Sequence, residues 1–117
     1  MSHKKVLIVE DDKALTSIYT KLFQEHGLTH HIALDGNQAL EYIDEHQPNI
    51  ILLDIHVPYI SGAEILHRIQ GHPHCQDARV ILASADSVLC HKWADNVYKF
   101  FVKPFNLCEL IHTIQGI

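Results

Sequence analysis

"VLIVEDDKAL", residues 6–15, sets four aliphatic residues directly against three consecutive carboxylates, Glu10, Asp11 and Asp12. An unbroken apolar run of this length, without polar alternation, fits a strand covered on both faces, as in the parallel sheets of α/β proteins. The acids at its end repel: two unit charges about 4 Å apart cost roughly 1 kcal/mol in bulk water and about 4 near a protein surface. Crowding three of them at the edge of a core calls for a cation or for helix caps to offset the repulsion.

Outward from this stretch, short apolar runs alternate with helix-spaced patterns, β then α, five times. Strands are expected at 6–9, at a weaker, polar run around 29–33 that carries His30 and His31 and reads as an edge, and at "NIILLD" (49–54), "RVILAS" (79–84) and "YKFFVK" (98–103). Leu15, Ile18, Leu22 and Phe23 mark one face of a first helix that stops at Gly27, where a left-handed cap costs least. Asp35 with Gln38, Ser61 with Glu64 and Asn106 with Glu109 pair a capping side chain with Glu or Gln three residues on, announcing the later helices. The fourth helix is expected over 87–95, with Asn96 as its stop. This alternation implies a doubly wound α/β sandwich, a fold that binds its ligands outside the carboxyl ends of the strands.

Length and composition narrow the classes. At 117 residues and 47% hydrophobic the chain is read as a single domain, 1–117. The formal charge of -5 and the scattered Lys and Arg argue against direct nucleic-acid binding. No apolar stretch approaches the roughly 20 residues of a membrane span, and "MSHKK" runs straight into a strand without a signal-peptide core, so a cytoplasmic location is expected. Cys75, Cys90 and Cys108 are odd in number and lack CxxC spacing, which reads as free thiols. "HPHC" at 72–75 offers soft metal ligands, but without a second ligand pair at matching spacing a polar loop is the simpler reading.

The strand ends carry the chemistry. Glu10, Asp11 and Asp12 follow the first strand, Asp54 the third, Ser84 the fourth and Lys103 the fifth. Taken singly, each has an ordinary role as cap, turn former or solvated charge. Together they form acids suited to a hard divalent cation such as Mg²⁺, beside a hydroxyl and an ammonium able to donate to phosphoryl oxygens.

"VLIVEDDKAL", "IILLDIHVPYISG" (50–62), "VILASA" (80–85) and "FFVKPF" (100–105), in this order and spacing, resemble the receiver domain of two-component response regulators over essentially the whole chain. The resemblance implies a flavodoxin-like (βα)5 sandwich with a five-stranded parallel sheet in the order 2-1-3-4-5. It implies Asp54 as phosphoacceptor from a histidine kinase or histidine phosphotransfer protein. Asp11 would be a direct Mg²⁺ ligand, Glu10 a ligand through water, and the His56 backbone carbonyl a further one. Ser84 and Lys103 would hold the phosphoryl group, Phe100 would be the switch aromatic, Asp12 an N-cap, and Lys103-Pro104 a cis bond. The implied activity is transfer to, and hydrolysis from, the chain's own Asp54, so the domain is not an enzyme acting on a separate substrate. A downstream protein would be met through the 87–117 face.

Three departures stand out. The stretch from Ser84 to Lys103 is about one helical turn shorter than the family pattern. Val57 replaces a frequent methionine. His56 and Asp86 occupy variable positions that tune acyl-phosphate lifetime in the family, and they are expected to interact across the pocket mouth. The alternative readings are a pseudo-receiver that binds proteins independently of phosphorylation, a flavodoxin-like cofactor module, and a small Mg²⁺ phosphohydrolase. The cofactor module would want a Gly-rich turn where this chain has three acids. The phosphohydrolase would need a capping insertion that a chain this short lacks.

Overall fold

The computed structural model describes residues 4–117. Five strands, β1 (Lys5–Val9), β2 (Thr29–Ala33), β3 (Ile50–Leu53), β4 (Arg79–Ser84) and β5 (Lys99–Val102), alternate with five helices. These are α1 (Lys13–Glu25), α2 (Gly36–Glu45), α3 (Gly62–Gly71), α4 (Ser87–Lys92) and α5 (Leu107–Gln115). All strands pair in parallel in the order β2-β1-β3-β4-β5, so β2 is an edge, as its polar sequence predicts.

Side chains alternate across a strand, and the sheet therefore feeds two cores. Leu7, Val9, Ile51, Leu53, Val80 and Leu82 pack on one face with Ile43 of α2, Ile65 of α3 and Cys90 of α4. Val6, Ile8, Ile50, Leu52, Ile81 and Phe101 pack on the other with Tyr19 and Phe23 of α1 and Leu110 and Ile114 of α5. Each fully buried aliphatic side chain contributes roughly 1.5–3 kcal/mol, which explains why the central strands read as unbroken apolar runs. The predicted caps form: the side chains of Asp12, Asp35, Ser61 and Asn106 each accept a backbone N–H from the first turn that follows. Gly27 sits at φ 65°, in the left-handed region. No helix among the described residues is long and apolar enough to cross a membrane.

Two expectations need correction. The buried face of α1 is Thr16, Tyr19 and Phe23, while Ile18 is 49% exposed and Leu15 and Leu22 lie at the margin. The aliphatic residues flank the stripe because the ring of Tyr19 fills its centre. The fourth helix is also shorter than 87–95. It ends at Lys92, where the Trp93 N–H closes the last turn onto Leu89 O, and a 3₁₀ turn over Ala94–Asn96 takes up the rest. Asp95 and Asn96 favour such tight turns over helix interiors. "HPHC" is a structural turn: His72 caps it and reaches Asp44 at 2.9 Å, and His74 Nδ1 donates to Ile43 O at the end of α2. Cys75 is buried.

Candidate functional site

Strand parity and sheet register build the site. Residues 6, 8 and 10 share a face of β1, as do 50, 52 and 54 on β3 and 101 and 103 on β5, so Glu10, Asp54 and Lys103 leave the sheet on its α1/α5 side. The ladder extends past the strands to aim them: Asp54 N donates to Val9 O at 3.0 Å and Lys103 N to Ser84 O at 2.9 Å. Lys103 Nζ lies 2.6 Å from Glu10 Oε1 and 2.9 Å from Asp54 Oδ2. Carboxylate oxygens of Glu10, Asp11 and Asp54 fall within 4.8 Å of one another. Glu10 and Asp54 are only 2% and 8% exposed, while Asp11 faces solvent.

The electrostatics follow from this burial. Desolvation pushes the Glu10 carboxyl above its ordinary value, and the bonds from Lys103 and from the Asp12 N–H recover only part of the loss. Burial by itself would lower the Lys103 ammonium, but its bonds to Glu10 and Asp54 outweigh it and hold the ammonium up. The opening crowd of acids is thus resolved three ways: Asp12 caps α1, Glu10 pairs with Lys103, and Asp11 stays in water.

Around the mouth, Asp54 Oδ1 accepts the His56 N–H at 3.1 Å. His56 Nε2 meets Asp86 Oδ2 at 2.7 Å, the contact expected between them. That bond and the Leu89 N–H hold the Asp86 carboxyl below its usual range. Ser84 is 1% exposed, and its Oγ accepts the Asp86 N–H at 3.2 Å. Glu10, Asp11, Asp54 and Lys103 are therefore brought together, with Ser84, His56 and Asp86 beside them. Phe100 is not in the cleft. It lies on the opposite face of β5, half-buried against the α4 side, with its ring edge-on to His91 at 4.9 Å. Tyr19, which the sequence pattern does not single out, is also buried on the cleft side of the sheet.

Gly62 sets the loop that carries His56. A Cβ there would stand 2.4 Å from Ile55 O and 2.9 Å from Ile55 Cα, both backbone atoms. Gly62→Ala is expected to destabilise by about 3 kcal/mol, because backbone cannot yield as a side chain tip can. Gly71→Ala, where a Cβ meets nothing within 4 Å, serves as the neutral control. Urea unfolding of both variants checks the difference, and equal midpoints would refute it.

Comparisons with known proteins bear on this geometry. The family described as response regulator receiver domain matches residues 6–115. Sporulation initiation phosphotransferase F of Bacillus subtilis is 30% identical over 98% of this chain and 94% of its own length. Transcriptional regulatory protein TrcR of Mycobacterium tuberculosis is also 30% identical, but the chain spans only 44% of it. Among solved structures, response regulator TrrA of Thermotoga maritima, in complex with Mg²⁺ and BeF, superposes with a TM-score of 0.85 at 28% identity, covering 97% of both chains. The receiver domain of sensor histidine kinase PA1611 of Pseudomonas aeruginosa, with a magnesium ion in its active-site cleft, gives 0.87 at 19% identity, covering 98% of this chain and 97% of its own, a likeness of fold alone. Sheet order, strand-end residues and a match spanning nearly every described residue agree, and this chain belongs to the response regulator receiver domain family.

Proposed function

We propose that this chain is a phosphoacceptor receiver domain, modified on Asp54 by a histidine kinase or a histidine phosphotransfer protein. The observation that carries the reading is Lys103 Nζ, bonded at once to Glu10 and Asp54 with Asp11 alongside. An ammonium already neutralises an acid cluster from the side where phosphoryl oxygens would arrive.

The donor set is all oxygen, three carboxylates with neither thiolate nor imidazole, which suits Mg²⁺. Glu10, Asp11, Asp54 and the His56 carbonyl would hold it, with Glu10 acting through water, and the ion supplies charge neutralisation to the transferring phosphoryl group. Asp54 offers a carboxylate oxygen to the phosphorus of a phosphohistidine. The new P–O bond forms as the P–N bond breaks, and the imidazole nitrogen keeps the electron pair and takes up a proton. Lys103 moves from the carboxylates to the phosphoryl oxygens, because the product carries roughly two negative charges that need donors.

Ser84 gives up the Asp86 N–H and turns its hydroxyl to the same group. That exchange loosens the start of α4, whose far end rests His91 on the Phe100 ring, and so biases the 87–117 face toward a downstream protein. His56 and Asp86, paired across the mouth, govern how readily water reaches the acyl phosphate, and that hydrolysis is the only other reaction assigned to the domain. A cytoplasmic location fits such partners.

The test is intact mass after incubation with a small phosphodonor such as acetyl phosphate, with and without Mg²⁺. Gain of one phosphoryl group only with Mg²⁺ is expected. No gain in either case would leave the fold standing and favour a phosphorylation-independent pseudo-receiver.

A further inference from the structure

Beneath the acidic cleft one buried polar atom stands alone. Tyr19 is 1% exposed, and its hydroxyl is the one buried side-chain polar atom among the described residues without a hydrogen-bond partner. Burying a hydroxyl unpaired is costly, and native proteins retain few such groups.

The hydroxyl's direction follows from its helix. α1 begins at the cleft, capped by Asp12, and runs back down the sheet. Helical side chains lean toward the N-terminus of their helix, so a phenol two turns along α1 reaches up toward the acids. It belongs to the same buried cluster as Ile8 and Leu52, which precede Glu10 and Asp54 by two residues on their own strands. Burial first, then the charges of Glu10 and Asp54, push the phenol well above its ordinary pKa, so it keeps its proton and remains a donor.

We propose that Tyr19 is a positioning residue of the cleft, its hydroxyl uncommitted at rest and donated to Glu10 once Lys103 turns away. This rests on the receiver reading above. At rest both Glu10 oxygens are served, Oε1 by Lys103 Nζ at 2.6 Å and Oε2 by the Asp12 N–H at 3.1 Å. Capture of a phosphoryl group by Lys103 takes from Glu10 its one side-chain donor, leaving the buried carboxylate the Asp12 N–H and the water through which it would hold the ion. Tyr19 is the buried donor whose own bond is still unmade. Its hydrogen bond then exists only in the loaded state, so the unpaired hydroxyl penalises rest and favours loading.

The test compares wild type with Tyr19→Phe by thermal melts over a series of Mg²⁺–beryllofluoride concentrations, beryllofluoride serving as an acyl-phosphate mimic. The midpoint without ligand reads the resting state, and its rise with concentration reads loading affinity. Loss of the hydroxyl is expected to weaken loading about five- to tenfold, the worth of one hydrogen bond, while leaving the resting midpoint level or raising it by about 2–6 °C. Weaker loading without any loss of resting stability is a combination that a merely structural role would not produce. Equal loading by the two proteins overturns the proposal, and so does weaker loading accompanied by a lower resting midpoint. A wild type that does not load at all overturns the receiver reading together with it.

Discussion

Asp54→Asn is expected to abolish phosphoryl uptake and keep the fold. The side chain is isosteric and can still accept the His56 N–H that Asp54 Oδ1 accepts at 3.1 Å. It cannot serve as the nucleophile, because an amide oxygen carries no full charge to attack phosphorus, and it removes one of the three clustered carboxylates. With its oxygen on the His56 N–H it turns its NH₂ toward Lys103, which then rests on Glu10 alone. Intact mass after long incubation with acetyl phosphate and Mg²⁺ should show none of the product that the wild type accumulates. A phosphoryl group gained by the variant would place the acceptor elsewhere in the chain.

Lys103→Met is expected to cost about 3 kcal/mol of stability near pH 8, because breaking a buried pair leaves the remaining charge uncompensated. The pH dependence identifies the cause. In the wild type the raised Lys103 pKa contributes stability that is fully present below the unfolded lysine value and is lost as pH climbs through the folded one. Glu10 runs in the same direction with pH, but at lower pH and as a penalty. Its raised carboxyl opposes folding once pH passes the unfolded value, and the penalty is complete above the folded value. Removing the ammonium lifts Glu10 further, so the variant should fall behind the wild type progressively from mild acid to neutral pH. Mg²⁺ should restore part of the deficit. Urea midpoints at pH 5 and pH 8, with and without Mg²⁺, check this. A deficit independent of both would assign the role of Lys103 to the packing of its stem. Phosphoryl uptake should fall on the order of 10²–10³-fold, as when one preorganised electrostatic donor is removed.

The parts of the fold legible in the sequence were those governed by burial on two sides. β1, β3 and β4 announce themselves because every residue of 6–9, 50–53 and 80–83 is buried, and the strand-end acids, hydroxyl and lysine follow by position. Caps such as Asp35 and Ser61 were legible because their chemistry is local. Rotation of α1 was not, since Leu15, Ile18 and Leu22 also make a helix-spaced apolar stripe, and the sheet, not the helix, chooses the overlapping one that carries Tyr19. The end of α4 was missed for a related reason: the Trp93 closure depends on where β5 must begin. The unpaired Tyr19 hydroxyl has no sequence signature at all, because a tyrosine in an apolar stripe ordinarily finds a partner.

α4 is the shortest of the five helices, six residues and so fewer than two turns. A segment of that length has almost no helical stability of its own, and it is held by the Asp86 cap and by Cys90 in the core. Its N-terminus is also the segment tied to Ser84 through the Asp86 N–H. The consequence is kinetic. Rearrangement at Ser84 can proceed by brief local melting of this one segment, with β4 and α5 left in place, so the amides of 88–96 should lead the rest of the helical ones in hydrogen exchange. On the proposed receiver reading, the speed of that rearrangement would be set by how often this short helix frays.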